Sequence, residues 1–391
     1  MDENMTGRRW MALVGLTFAA FIFNTSEFVP IGLLTDIRDE FKLTEASAGM
    51  LISVYAWVVM LLSLPLMILV SRMEMRRLML CLVGLFAVCQ TLSFLSTSYP
   101  MLMASRIGVA CAHSVFWSVV SPIAVRITPA RHKALALSMV VTGSSVAMVF
   151  GMPLGRMIGL HLGWRMTFLC VGLFALFTLF YIACSLPRVP SSGKFSPRKL
   201  PSLLADTTMA GFYLFTLLVA TGYYVCYSYI EPFLKQVTLM PDDLVTTMLM
   251  AMGVAGFLGS VAFSQCYAKG PRLFIGTTVA ALALTLLALQ AAATHLLPVV
   301  VLTALMGMAA TAYNVAMQSA LIQTVPPEST TVAMSIFSGI FNMGIGCGAF
   351  FGGCVCSHDT IGHVGLAGGA IVLAALLYWI AKLSRKICPS A

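Results

Sequence analysis

The sequence predicts an all-α integral membrane protein of twelve transmembrane helices. Three observations carry that expectation. Of 391 residues, 59% are apolar and only 9% charged, whereas a soluble domain carries about 25% charged residues. The apolar residues fall in long continuous runs and do not alternate, which speaks against a membrane β-barrel. No stretch between the runs is both long and polar enough to form a soluble domain.

A helix crosses hydrocarbon with about 20 apolar residues. Runs of that kind occupy 10–34, 47–70, 78–97, 100–125, 134–158, 165–187, 208–232, 244–268, 273–293, 298–323, 331–356 and 362–383. The first follows Arg8 and Arg9. It is too long for the apolar part of a signal peptide and lacks a small-residue cleavage site, so it reads as a retained helix.

Basic residues then set the topology. Arg72, Arg76 and Arg77 follow the second run, and Arg126, Arg131 and Lys133 the fourth. Arg188, Lys194, Arg198 and Lys199 follow the sixth, Lys269 and Arg272 the eighth, and Lys382, Arg385 and Lys386 the twelfth. All lie on the side of the N-terminus, so the positive-inside rule places both termini in the cytoplasm. The loop at 324–330 is on the same side without a basic residue, and Arg38, Lys42, Arg106, Arg156, Arg165 and Lys235 lie elsewhere. This distribution accounts for the net charge of +9 without nucleic acid as a partner. The eleven cysteines show no metal-ligand spacing and read as small core residues. No metal or cofactor is expected. There is no GxxxxGK[ST] phosphate loop, so ATP does not supply the driving energy.

The polar segment 188–207, rich in Pro, Ser and basic residues, separates a half at 1–187 from a half at 208–391. The halves repeat each other at an offset of 197. Pro129 falls on Pro326, Ala136 on Ala333, Ser138 on Ser335, Gly151 on Gly348 and Gly155 on Gly352. Glu27 and Glu231 occupy similar places near the ends of the first and seventh runs. Six-plus-six parallel repeats bind their solute near the midplane, between the halves.

Ionisable groups inside a bilayer cost at least about 2.5–3.5 kcal/mol each and face the protein interior. Few are present. Glu27 and Arg106 each sit roughly 9–11 Å deep at 1.5 Å per residue, on the same side, and are expected to pair. The pair is either a static tie or a proton-sensitive one. Arg156 and Arg165 flank the outer end of the fifth run as interfacial residues. His113 lies two turns from Arg106 on the same face. It is either a packing residue or the natural proton carrier near neutral pH, with Trp117 as a cavity floor. In the seventh run Tyr223 and Tyr227 share one face, and Tyr224 shares another with Glu231. Such rings form an interfacial belt or, with their hydroxyls, bind a polar hydroxylated solute. Asn24, Asn314, Gln318 and Asn342 are amides that need a partner in hydrocarbon, either a neighbouring helix or that solute. Gly151, Gly155 and Gly159 form a small face that admits a close helix neighbour, Pro153 bends the same helix, and Gly344, Gly348 and Gly352 repeat the face.

NTSEFVPIGLL at 24–34, YAWVVMLLSLP at 55–65, SRIGVACAHSVFWS at 105–118, GMPLGRMIG and GWRMTF within 151–168, YSYIEPF at 227–233 and FSGIFNMGIGCGAFFG at 337–352 carry a family resemblance. The chain resembles the major facilitator superfamily over nearly its whole length. Within it the chain looks most like twelve-helix drug:proton antiporters of the bacterial arabinose-type sugar-efflux group. The resemblance implies proton-driven export of sugars or similar small polar solutes across a bacterial inner membrane, by a monomer. Its cavity would lie between the first, fourth, seventh and tenth helices. Asn24, Trp117, Tyr223, Tyr227, Asn314, Gln318 and Asn342 would meet solute, and Glu27, Arg106, His113 and Glu231 would sense protons.

The family's loop between the second and third helices reads GxxxDRxGRR. Here Met67 stands for its first Gly and Ser71 for its Asp, while Arg72, Arg76 and Arg77 remain. Glu74 is expected to replace the missing acid of a gating latch. Ala110 and Ala112 stand where the fourth helix carries glycines in the family. Efflux of lipophilic drugs through a pocket lined by some of the 26 Met and 24 Phe is the alternative function. A non-transporting receptor or scaffold is a third.

Overall fold

The computed structural model describes residues 5–191, 206–325, 330–357 and 360–384. Among them there is no strand. Twelve helices are long and apolar enough to cross a membrane, and each matches an expected run to within about four residues at either end. Leu69, Phe180, Leu284 and Leu297 stand largely exposed, as they do when hydrocarbon and not water is the solvent.

In chain order the helices are α1 (Gly7–Gly32), α2 (Leu34–Phe41), α3 (Glu45–Val70), α4 (Met75–Phe94), α5 (Tyr99–Ile127), α6 (Lys133–Val146), α7 (Met152–Leu162) and α8 (Trp164–Ser185). Then follow α9 (Thr207–Tyr227), α10 (Ile230–Gln236), α11 (Asp242–Cys266), α12 (Pro271–Ala292), α13 (Leu296–Thr324), α14 (Thr330–Cys356) and α15 (Val364–Tyr378). They form two compact units. One comprises Met1–Leu33 and Val58–Phe195, the other Leu34–Trp57 and Ser196–Ala391. Most of the expected linker, 192–205, and the repeat proline at 326 lie outside the described residues.

Glycines decide how closely the helices pack. The fifth span is α6, a π-turn at Ala147–Gly151, and α7. Pro153 in the first turn of α7 cannot donate a backbone hydrogen bond, and wide turns of this kind accommodate such a gap. The stripe of Gly151, Gly155 and Gly159 lies against α1. A Cβ at Gly151 would come 2.5 Å from Thr25 Oγ1, and one at Gly155 2.7 Å from Val29. The second unit repeats the device. Cβ atoms at Gly344, Gly348 and Gly352 would each come 2.5 Å from an atom of α9, at Ala220, Thr221 and Val225 respectively.

The first and seventh spans also break alike. The chain interrupts α1 at Leu33 before α2, and α9 at Ser228–Tyr229 before α10. Past those short helices Lys42 and Leu239 hold φ of 54° and 55°, a left-handed conformation that closes each turn. These two residues are separated by the same offset as the glycines. That register corrects one expectation. Glu27 lies within α1, before its break, whereas Glu231 opens α10, after the equivalent break. The two carboxylates are therefore not counterparts.

Candidate functional site

In the first unit the polar groups of α1, α4 and α5 converge on Ser26. Arg106, 1% exposed, donates from one guanidinium nitrogen to Ser26 Oγ at 2.9 Å and from another to the Ser26 carbonyl at 2.8 Å. Gln90 of α4 also donates its side-chain amide to Ser26 Oγ. The expected direct pair between Glu27 and Arg106 is thus replaced. Arg106 directs two guanidinium nitrogens one residue away from Glu27, to neutral acceptors, and the Phe168 ring lies 5.8 Å beneath it.

Glu27 instead faces His113. Its Oε2 lies 3.8 Å from His113 Nε2, with both side chains nearly buried. The same Nε2 accepts a hydrogen bond from the Trp117 indole at 2.9 Å. An indole nitrogen can only donate, so Nε2 carries no proton in this arrangement and the neutral ring holds its proton on Nδ1. Phe23 borders the imidazole at a ring distance of 6.0 Å and stacks on Phe116 at 4.0 Å. This apolar wall keeps water from one side of the His113 ring. Asn24, half-buried, sits one turn before Glu27 on α1.

The second unit carries the other expected site residues. Tyr223 and Tyr227 stack with centroids 5.0 Å apart and planes 15° apart, as their spacing on α9 anticipates. Tyr224 meets both rings edge-on. On α13, Gln318 donates its amide to Asn314 Oδ1 at 2.6 Å. Asn342 of α14 donates to the Ser338 carbonyl at 3.0 Å, and its buried Oδ1 has no hydrogen-bond partner among the described residues. Glu231 is fully buried. Its Oε2 accepts from the Thr35 backbone N–H at 3.2 Å and hydroxyl at 2.7 Å. Thr35 lies in the first turn of α2, where the helix dipole favours a negative charge. The break after Tyr227 separates Glu231 from the helical register of Tyr224, so the shared face expected of them does not form.

Arg156 departs furthest from expectation. It is fully buried, not interfacial, and donates to the Gly32 carbonyl at 2.7 Å. It therefore caps the C-terminus of α1 with positive charge, where the dipole favours it. Ser26, Gln90 and Thr35, and the capping role of Arg156, were not evident from sequence because their importance lies in partners 64 to 196 positions away. A serine preceding an intramembrane glutamate was the only local signal. No cluster among the described residues could hold a metal ion.

The Major Facilitator Superfamily model matches residues 16–266, more than half of the chain. The chain belongs to the Major Facilitator Superfamily. Solved structures of that architecture align along nearly its full length. One is a bacterial homologue of the human lysosomal transporter Spinster in an inward-facing, unoccupied conformation, with TM-score 0.81, 17% identity, and 99% and 100% of the two chains covered. Another is the nucleoside transporter NupG, at 0.77, 13%, 96% and 99%. A third is a human organic anion transporter, at 0.69, 14%, 96% and 100%. At these identities the likeness establishes the fold.

The facilitator loop between α3 and α4 takes an unexpected form here. Glu74 does not latch onto Arg72, Arg76 or Arg77. Its Oε1 accepts from the Val189 backbone N–H at 3.2 Å, while Val189 returns its carbonyl to Met75 N at 3.0 Å. Arg76 donates to the Ala183 carbonyl at 2.7 Å, and Arg72 and Arg77 are exposed. With Ser71 in place of the acid, the loop binds the chain leaving α8.

Proposed function

We propose that this facilitator protein is a secondary active transporter that exports sugars or related small polar solutes in exchange for protons. In this reading it sits in a bacterial inner membrane with both termini cytoplasmic. The observation that carries the proton part is the double approach to His113 Nε2. In the neutral state Trp117 holds that nitrogen at 2.9 Å. A proton arriving at Nε2 removes the acceptor, breaks the indole bond and creates an N–H cation 3.8 Å from the Glu27 carboxylate. Protonation thus exchanges one partner for another, and Ser26-bound Arg106 bounds the site with fixed positive charge. Imidazole is the side chain whose ordinary range spans neutral pH.

The stacked Tyr223 and Tyr227 and the amides of Asn314 and Gln318 support the solute part. Flat faces beside hydroxyl and amide groups match the apolar faces and hydroxyl edges of a sugar. Solute and proton need not share an atom. They need only bias one conformational equilibrium in opposite senses. The three edge-and-face tyrosines also favour a second reading, in which planar lipophilic compounds are the cargo.

Purified protein in proteoliposomes, screened with sugars and lipophilic cations with and without a pH gradient, tests both. Uphill sugar export that needs the gradient, together with a flattened pH profile in His113→Ala and Glu27→Gln, supports the proposal. Movement of lipophilic cations but no sugar replaces it with the drug-efflux reading. An unchanged pH profile in both variants removes the proton assignment.

A further inference from the structure

Outside the transport residues, the first unit carries a basic pocket that neither solute nor proton binding explains. It has a volume of about 340 Å³ and lies where α1 begins, α5 ends and the chain leaves α8. Arg8, Arg9, Arg126 and Arg188 line it, and Pro187 and Pro190 supply apolar wall. Among the described residues, none that lines it is acidic. Among the described residues, Glu74 of the neighbouring loop has its carboxylate turned to the Val189 N–H.

Like charges gathered around one cavity repel each other and call for an anion. Two of the arginines are already fixed in place. Arg126 donates to the Pro190 and Ser191 carbonyls at 2.9 and 3.1 Å, and Arg8 donates from Nε to the Ser185 carbonyl at 3.4 Å. A guanidinium has five N–H donors, so each retains donors for an oxyanion. Arginine forks match phosphate geometry in particular. Thr6 at the start of α1 makes no side-chain cap, and it too lines the pocket, so the positive end of the α1 dipole adds to the same field.

The depth of the pocket identifies the source of the phosphate. Trp10 and Met11 directly follow Arg9 on α1 and are 38% and 46% exposed. A tryptophan exposed at the end of a spanning helix marks the headgroup layer. We propose that this pocket binds the phosphate of an anionic phospholipid headgroup, clamping the ends of α1, α5 and α8 together. Basic pockets between transmembrane helices recognise such headgroups. The inference requires only that the helices span a bilayer, and it stands whether or not the transport reading holds.

The test uses the full-length protein in detergent, titrated with phosphatidylglycerol or phosphatidylcholine, with bound lipid counted by native mass spectrometry and thermal stability followed in parallel. Arg9→Gln with Arg188→Gln neutralises two lining cations and leaves the structural bonds of Arg8 and Arg126 in place. Lys269→Gln with Arg272→Gln removes the same charge from the other unit. The wild type should retain phosphatidylglycerol over phosphatidylcholine and gain thermal stability from it. The pocket variant should bind it about twenty-five-fold more weakly, from about a fivefold loss per cation, with unchanged stability in the absence of lipid. The second-unit variant should bind as wild type does. Three results would overturn the proposal: no preference for the anionic lipid, equal loss in both double variants, or displacement of the lipid by inorganic phosphate at matched concentration. The last would make the pocket a site for free phosphate.

Discussion

Two substitutions on one helix, Gly348→Ala and Gly339→Ala, should have opposite signs. A methyl group added at Gly348 would lie 2.5 Å from the Thr221 carbonyl oxygen, 2.7 Å from Tyr224 Cβ and 3.0 Å from the Tyr224 carbonyl carbon. These atoms belong to the rigid body of α9, and none is the tip of a flexible side chain. Relief to an ordinary contact near 3.5 Å demands that α9 and α14 separate by about 1 Å. The stripe would part along its length, because Gly344 and Gly352 meet the same helix. Overpacking of this kind costs about 1–3 kcal/mol. At Gly339 a methyl group would meet nothing within 4 Å, so replacing glycine should instead stabilise α14 by about 0.5–1 kcal/mol through reduced backbone entropy. The assay is thermal unfolding of purified protein in one detergent, read by fluorescence and by retention on size exclusion. Gly348→Ala should melt several degrees below wild type and Gly339→Ala at or slightly above it. If Gly348→Ala melts with the wild type, α9 and α14 do not pack through this stripe. If both variants rise equally, helix propensity and not packing is being measured, and if both fall equally, the open space at Gly339 is refuted.

Other outcomes follow from the buried polar groups. Ser26→Ala removes the acceptor that Arg106 and Gln90 share and should cost about 1–3 kcal/mol in thermal unfolding; a neutral effect would mean that the hub is dispensable. Arg156→Leu leaves the Gly32 carbonyl without its 2.7 Å donor and should destabilise by a similar amount, about 1–3 kcal/mol, whereas a truly interfacial arginine would tolerate the change. Glu231→Gln keeps one acceptor oxygen for Thr35 and should be milder than Glu231→Ala, which loses bonds to a charged group worth about 1.5–3 kcal/mol; equal effects would dismiss the cap. Trp117→Phe retains the ring but not the donor to His113 Nε2, so the pH midpoint of solute export should move while downhill exchange persists; an unmoved midpoint would detach the indole from proton coupling.

Hydropathy made the twelve spans legible because it sums over some twenty residues and tolerates error in any one. The glycine stripes were legible for a similar reason: their spacing on a helix is a local property, and it places Gly151 with Gly155 and Gly344 with Gly348 on single faces whatever the neighbour is. The tyrosine pair at 223 and 227 was read by the same rule. Partner choice was not local. Their positions along the helices place Glu27 and Arg106 at one level of the bilayer but do not fix which acceptor Arg106 takes. Ser26 won because its hydroxyl and carbonyl together satisfy two guanidinium nitrogens, leaving Glu27 to His113.

The sequence by itself therefore determined the fold class, the spans and the inward placement of a few ionisable residues, because the cost of exposing polar groups to hydrocarbon acts on each segment separately. Only the tertiary structure decided that Arg156 caps the end of α1, that Glu231 caps the start of α2, and that Glu74 holds the chain after α8. Each is a hydrogen bond made at about 3 Å between groups more than 100 residues apart. A shift of one residue in helix register, or one break such as that at Leu33 or Ser228, changes which side chain arrives there.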